Sequence, residues 1–139
     1  MIVLDTNVLS ELMRPAPAER VARWISAQPV TSLYTTSITQ AEILHGIMLL
    51  PSGRRRDALE AAAQAMFGED FGGRVLPFGS QEAHFYARIA SERRRAGRPI
   101  SHFDAQIAAI ARSVGAAIAT RDAADYDACG VVVINPWKA

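Results

Sequence analysis

The sequence predicts a parallel α/β sandwich. The first observation is a set of short apolar runs, Ile2-Val3-Leu4, Ala116-Ala117-Ile118-Ala119 and Val131-Val132-Val133-Ile134, each too short for a helix and each stopped by polar residues. The second is that the chain between them carries apolar residues at spacings of three and four, the mark of amphipathic helices. Strands alternating with helices argue for a parallel sheet with helical crossovers. The third is where the runs end. Met1-Ile2-Val3-Leu4 drives into Asp5, and Ala116–Ala119 drives into Thr120-Arg121-Asp122. Parallel strands deliver such residues to one sheet edge, and open α/β sheets bind ligands at that carboxyl edge.

In chain order, Val8–Met13 has helical spacing and ends before Pro15 and Pro17. A second helix is expected over 18–27, with Val21, Trp24 and Ile25 on one face, ended by Pro29. Leu33-Tyr34-Thr35-Thr36 is β-like. Ser37 opens a longer helix carrying Ile38, Ala41, Leu44, Ile47 and Met48. Pro51-Ser52-Gly53 breaks the chain before an alanine-rich helix over 54–67. Arg74-Val75-Leu76 is a weak strand. A helix over 80–96 carries Ala83, Phe85, Tyr86, Ile89 and Ala90, with Gly97 placed to cap it and Pro99 forbidding continuation. Ser101 opens a helix with Phe103, Ile107, Ile110, Ala111 and Val114 on its apolar stripe, closed by Gly115.

The totals bound the class. A chain of 139 residues, 50% hydrophobic and 21% charged, predicts one domain over 1–139 with a real core. The formal net charge of +1 gives no whole-molecule field for nucleic acid. Of the 15 basic residues only Lys138 is lysine, and arginine suits bidentate phosphate contacts; a GC-rich coding sequence would produce the same bias. A single cysteine, Cys129, excludes an intrachain disulfide and a thiolate zinc site. The opening lacks a basic n-region, and no apolar run approaches the length of a membrane span. A cytoplasmic protein with no membrane partner is expected.

Four acids fall just after a strand or near a helix start: Asp5, Glu42, Asp104 and Asp122. Each has a plain structural reading. Asp5 and Asp122 suit N-caps. Thr39-Gln40-Ala41-Glu42 and Ser101-His102-Phe103-Asp104 fit capping boxes. Taken together, four carboxylates at one edge repel one another and call for a cation. Oxygen ligands without cysteine suit Mg²⁺ or Mn²⁺. That arrangement serves phosphodiester hydrolysis by an activated water. Thr6, Asn7 and Thr120 are small polar neighbours able to orient carboxylates, and Asp125 stands three residues beyond Asp122, where Asp125-Tyr126-Asp127 also reads as a solvated turn. His45, His84 and His102 have no ligand spacing. Arg54-Arg55-Arg56 and Arg93-Arg94-Arg95 with Arg98 read as solvated helix faces, the second run also being placed to hold an RNA backbone.

These residues resemble the PIN-domain family, and within it the VapC/FitB-type toxins of bacterial toxin–antitoxin pairs. The matching pieces are Val3–Leu12, Ser37–Gly46, Pro99-Ile100, Asp104–Ala111, Ala119–Asp122 and Val133–Trp137, in family order over nearly the whole chain. The resemblance implies a three-layer sandwich with a central parallel sheet of four to five strands flanked by helices. It implies a Mg²⁺-dependent endoribonuclease in which Mn²⁺ substitutes, with Asp5, Glu42, Asp104 and Asp122 as the acidic set and Asp5 and Asp104 on the metal. Many relatives carry the fourth acid three residues later, so both Asp122 and Asp125 stand for that role. A cognate antitoxin, operator DNA bound through that antitoxin and a homodimer are also implied. The alternative is a binding module whose acids hold a partner's arginine, acting mainly in an antitoxin–DNA autoregulatory complex with negligible turnover.

Overall fold

The computed structural model describes residues 1–139. Its strands are β1 (Ile2–Leu4), β2 (Leu33–Thr36), β3 (Val75–Leu76), β4 (Ala117–Ala119) and β5 (Val133–Ile134). They form one sheet in the order β3-β2-β1-β4-β5, and every neighbouring pair is parallel. The helices are α1 (Thr6–Leu12), α2 (Glu19–Ser26), α3 (Ser37–Met48), α4 (Arg54–Ala65), α5 (Ser80–Arg95) and α6 (His102–Ser113). The expected α/β architecture is therefore present, with five strands.

Three layers follow from the pleat of the central strand, whose successive side chains face opposite ways. Leu4 joins a core with Val8 and Leu9 of α1, Val21 of α2, Ile43 and Ile47 of α3 and Ala63 of α4. Val3 joins a second core with Ile89 of α5 and Ile107, Ala108 and Ala111 of α6. Ile118 and Ala119 divide between the same two cores. Each fully buried Leu, Ile or Val contributes about 1.5–3 kcal/mol. Burial on both faces is what holds strands of only two to four residues, and it offsets the cost of burying carboxyl groups at their ends.

Several boundaries move for local reasons. The first helix begins at Thr6 rather than Val8, because Asp5 caps it: Asp5 Oδ1 accepts from the Thr6 N–H at 2.8 Å. The helix expected over 54–67 stops at Ala65 and widens into a π turn over Met66–Asp70, which turns Met66, Phe67 and Phe71 inward. The last strand loses Val131 and Val132; Val132 points to solvent. Gly97 (φ +73) and Gly115 (φ +68) adopt the left-handed conformation after α5 and α6, as expected of C-cap glycines. No helix is long and apolar enough to cross a membrane.

The topology positions the site. The chain leaves β1 for β2 on one side, and β4 returns on the other. The crevice of an open sheet lies where the strand order reverses in this way, outside the carboxyl ends. Leu4 and Ala119 are register partners across β1 and β4, so the next residues, Asp5 and Thr120, emerge side by side.

Candidate active site

Asp5 is 6% exposed, and both its oxygens are engaged. Oδ1 accepts from the Thr6 N–H, and Oδ2 accepts from the Thr120 hydroxyl at 2.8 Å. Its own N–H donates to the Ala119 carbonyl at 2.9 Å. The carboxyl group is thus locked to two strands and one helix start. Capping and site duty coincide here, since a helix N-terminus presents N–H groups to an anion.

Glu42 reaches the same place by a different route from the one expected. It lies on the second turn of α3, not at a helix start, and the cap of α3 is Thr36, whose hydroxyl accepts from the Thr39 N–H at 3.1 Å. The Thr39–Glu42 capping box is therefore absent. The Thr6 hydroxyl instead donates to Glu42 Oε1 at 2.9 Å and lies 3.1 Å from the Thr39 hydroxyl. Asp104 starts α6. Ser101 caps that helix through the Asp104 N–H (3.2 Å), while the Asp104 carboxylate turns away to accept from the Tyr126 hydroxyl at 3.3 Å. That capping box is half formed, which leaves the acid free for the cleft.

Asn7 ties the far wall to the near one. Its side-chain amide donates to Thr120 Oγ1 (3.1 Å) and to Asp122 Oδ2 (3.2 Å), and its carbonyl oxygen accepts from the Arg121 N–H (3.2 Å). Asp5, Glu42, Asp104, Asp122 and Asp125 all line one cleft of about 580 Å³. The candidate residues named from the sequence, Thr6 and Asn7 included, come together there. Thr120 sits fully buried beneath it.

The electrostatics record the crowding. Burial, and then the Asp104 charge, raise Asp5 above its ordinary 3.8, against the lowering effect of hydrogen bonding from Thr120, the Thr6 N–H and Tyr126. Burial, then Asp5 and Asp104, raise Glu42 despite the Thr6 bond. Burial, then Asp104 and Asp122, raise Asp125. Burial and the facing Asp5 and Asp104 push the Tyr126 hydroxyl far upward, so it stays a proton donor. The carboxylates offer oxygen ligands only, and their negative charge exceeds that of the two arginines in the lining, which fits a hard divalent cation. No three of the side chains are gathered tightly enough to cage an ion by themselves.

Three residues of the site went unrecognised in the sequence. Tyr126 sits in a polar stretch that reads as a solvated turn, yet it is 1% exposed and its hydroxyl faces Asp104. Glu11 lines the cleft one helical turn past Asn7, a spacing that offered a signal. It holds the Ala18 N–H ahead of α2 at 2.9 Å, and that bond, first among its causes, lowers its carboxyl. Arg93 was read as part of a solvated run and is instead buried. Its guanidinium donates to the carbonyls of Arg98 (2.6 Å), Asp125 and Asp127 (both 2.9 Å). Arg94 and Arg95 are exposed, and Arg98 pairs with Asp127 at 3.0 Å.

Comparison with known proteins agrees with this arrangement. The PIN domain family model matches residues 2–129. The chain is 39% identical over 138 residues to VapC ribonuclease Y4jK of Sinorhizobium fredii, covering 99% of each. It is 43% identical over 139 residues to plasmid stability protein StbB of Pseudomonas syringae pv. tomato, covering all of both, and 39% identical to toxin FitB of Neisseria gonorrhoeae over 99% of each. Among solved structures, FitAB bound to an IR36 DNA fragment superposes with a TM-score of 0.92 at 39% identity, covering 99% of this chain and 96% of that one. The N. gonorrhoeae FitAcB crystal structure gives 0.90 at 37% identity over the full length of both. The chain belongs to the PIN-domain family, within its VapC/FitB-type group.

Proposed function

We propose that the protein is a metal-dependent endoribonuclease acting in the cytoplasm as the toxin of a type II toxin–antitoxin pair. The observation that carries this reading is the single cleft lined by acids from distant parts of the chain, of which Glu42, Asp122 and Asp5 are oriented by Thr6, Asn7 and Thr120 respectively. The ribonuclease name of one full-length relative supports it. Asp5 and Asp104 offer the oxygens that hold Mg²⁺, with Mn²⁺ able to replace it. When bound, the ion makes a water acidic enough to attack and offsets charge on the phosphate. Asp5 is fixed by Thr120 and the Thr6 N–H, and Asp104 by Tyr126. Glu42, oriented by Thr6 and raised in pKa, takes the proton of the attacking water. Asp122, held by Asn7, and Asp125 close the far wall.

The partners proposed are RNA, a cognate antitoxin, operator DNA through that antitoxin, and a second copy in a homodimer. Relatives solved as FitAB and VapBC complexes support the antitoxin. An apolar groove of about 670 Å³, lined by Met13, Ile43, Ile47, Leu50 and Leu59, opens beside the cleft and shares Thr6, Ser10 and Glu42 with it. An antitoxin segment lying there would reach the acids. The test is cleavage of a generic single-stranded RNA by protein freed of antitoxin. Cleavage in Mg²⁺ or Mn²⁺, lost on chelation, is expected. Cleavage undiminished by exhaustive chelation overturns the metal role, and no turnover in either ion favours a binding module. Preference for single-stranded DNA in competition would move the substrate class.

A pH prediction follows from the raised carboxyls. Asp5 and Glu42 ionise less readily folded than unfolded. Their contribution to stability is fully present below their ordinary values of 3.8 and 4.5 and is lost as pH rises through the raised native values. A cation that offsets the ionised pair therefore matters most at neutral pH. The rise in Tm produced by Mn²⁺ is expected to be negligible near pH 4 and to grow steadily to pH 7; a shift independent of pH would remove these two groups from the ion's site.

A further inference from the structure

Six carboxyl groups line the acid cleft, those of Asp5, Glu11, Glu42, Asp104, Asp122 and Asp125, against two guanidinium groups, Arg14 and Arg121. Arg14 is already paired with Glu11 at 3.2 Å. Arg121 forms an ion pair with none of them. Its guanidinium lies instead over the Trp137 ring, 5.2 Å from the centroid.

Both members of this pair are held in place. The Arg121 N–H donates to Asn7 Oδ1 at 3.2 Å, and its carbonyl accepts from Asn135 Nδ2 at 3.3 Å, so its backbone is pinned from opposite sides. The Trp137 N–H donates to Asn135 Oδ1 at 2.9 Å, its carbonyl accepts from Arg20 at 3.3 Å, and its ring packs on the core formed by α1–α4. The result is a positioned cation in no direct ion pair, its charge felt at the Glu11 carboxyl, on the rim of a cleft that a polyanion must enter against strong repulsion. A guanidinium lying over an aromatic face can still present N–H donors to a ligand, and its fork matches phosphate geometry.

We propose that Arg121, braced on Trp137, binds a backbone phosphate of the single-stranded RNA beside the scissile bond. The role is substrate positioning, and it rests on the ribonuclease reading above. Lysine in its place keeps the charge but loses the planar guanidinium and its fork of donors.

The experiment is fluorescence anisotropy of a labelled generic single-stranded RNA with the full-length protein in EDTA, where binding is read without turnover, followed by steady-state cleavage in Mn²⁺. Arg121→Gln and Arg121→Lys are expected to weaken RNA binding about tenfold and about fivefold. Arg121→Gln should also reduce the slope of log K against log salt by about 0.7, the loss of one single-strand phosphate contact. Trp137→Leu shifts affinity in the same direction by a smaller factor. In cleavage, KM rises by similar factors while kcat holds. Unchanged affinity and salt slope in both Arg121 variants would overturn the proposal, as would a fall in kcat alone. So would weakened antitoxin binding with RNA affinity intact, or a wild-type protein that binds no RNA at low salt. Wild-type binding without cleavage in any ion would instead overturn the nuclease reading and leave the phosphate contact standing.

Discussion

Asp104→Asn is expected to abolish RNA cleavage, by at least about 10²–10³-fold, while raising the Tm of the metal-free protein by about 2–4 °C. Asparagine keeps an oxygen for the Tyr126 hydroxyl and leaves the Ser101 cap of α6 untouched. What it removes is a negative charge that raises Asp5, Glu42 and Asp125 together. A site whose substitution destroys activity and strengthens the fold is one where repulsion is maintained for function. Asp5→Asn should separate from it. The Thr120 hydroxyl that Asp5 accepts from already accepts from Asn7 and from the Asp122 N–H. An amide NH₂ facing that hydroxyl finds no free lone pair, so Asp5→Asn should lose activity and also about 1–3 kcal/mol of stability. Thermal denaturation and cleavage assays on both variants check the pair; a well-folded Asp104→Asn protein that still cuts RNA would sink the assignment of the site.

Arg93→Met is expected to cost about 2–4 kcal/mol, a drop in Tm of about 6–12 °C, and most of the cleavage activity. The guanidinium gathers the carbonyls of Arg98, Asp125 and Asp127 and lies 3.7 Å from Cys129 Sγ. Without it three carbonyls lose a donor beneath the segment that carries Asp122, Asp125 and Tyr126. Lysine should recover little, because one ammonium cannot span the positions of Nε and a terminal nitrogen at once. Hydrogen exchange would show residues 122–129 opening while Ile107–Ile110 of α6 stay protected. A loss under 1 kcal/mol with normal activity would make Arg93 a packed but dispensable side chain.

The two predictions mark where reading the chain succeeded and where it ran out. Asp104 was legible because its setting is local: a serine N-cap, then a helix of strict three-and-four spacing. Asp5 was legible because a four-residue apolar run fixes its place at a strand end. Arg93 and Tyr126 were not. An arginine among arginines looks solvated, and a tyrosine between two aspartates looks like a surface turn. Their burial comes from the chain crossing over itself, with α5 and the loop after β4 meeting behind α6. Glu42 lines the cleft with the other acids rather than capping α3, since the partner that orients it, Thr6, lies 36 residues away.

The amino-acid sequence alone determined the alternation of strands and helices, the helix caps at Asp5 and Ser101, the parallel sense of the sheet, and the acids that the carboxyl edge receives. Those follow from periods of two and 3.6 residues and from cap chemistry, which act within a turn or a strand. Only the tertiary structure decided which acids are oriented by which hydroxyls, that Tyr126 and Arg93 are interior, and that Arg121 stands unpaired over Trp137. Each of these depends on groups distant in sequence meeting in a low-dielectric space, where one hydrogen bond or one unpaired charge outweighs any local preference.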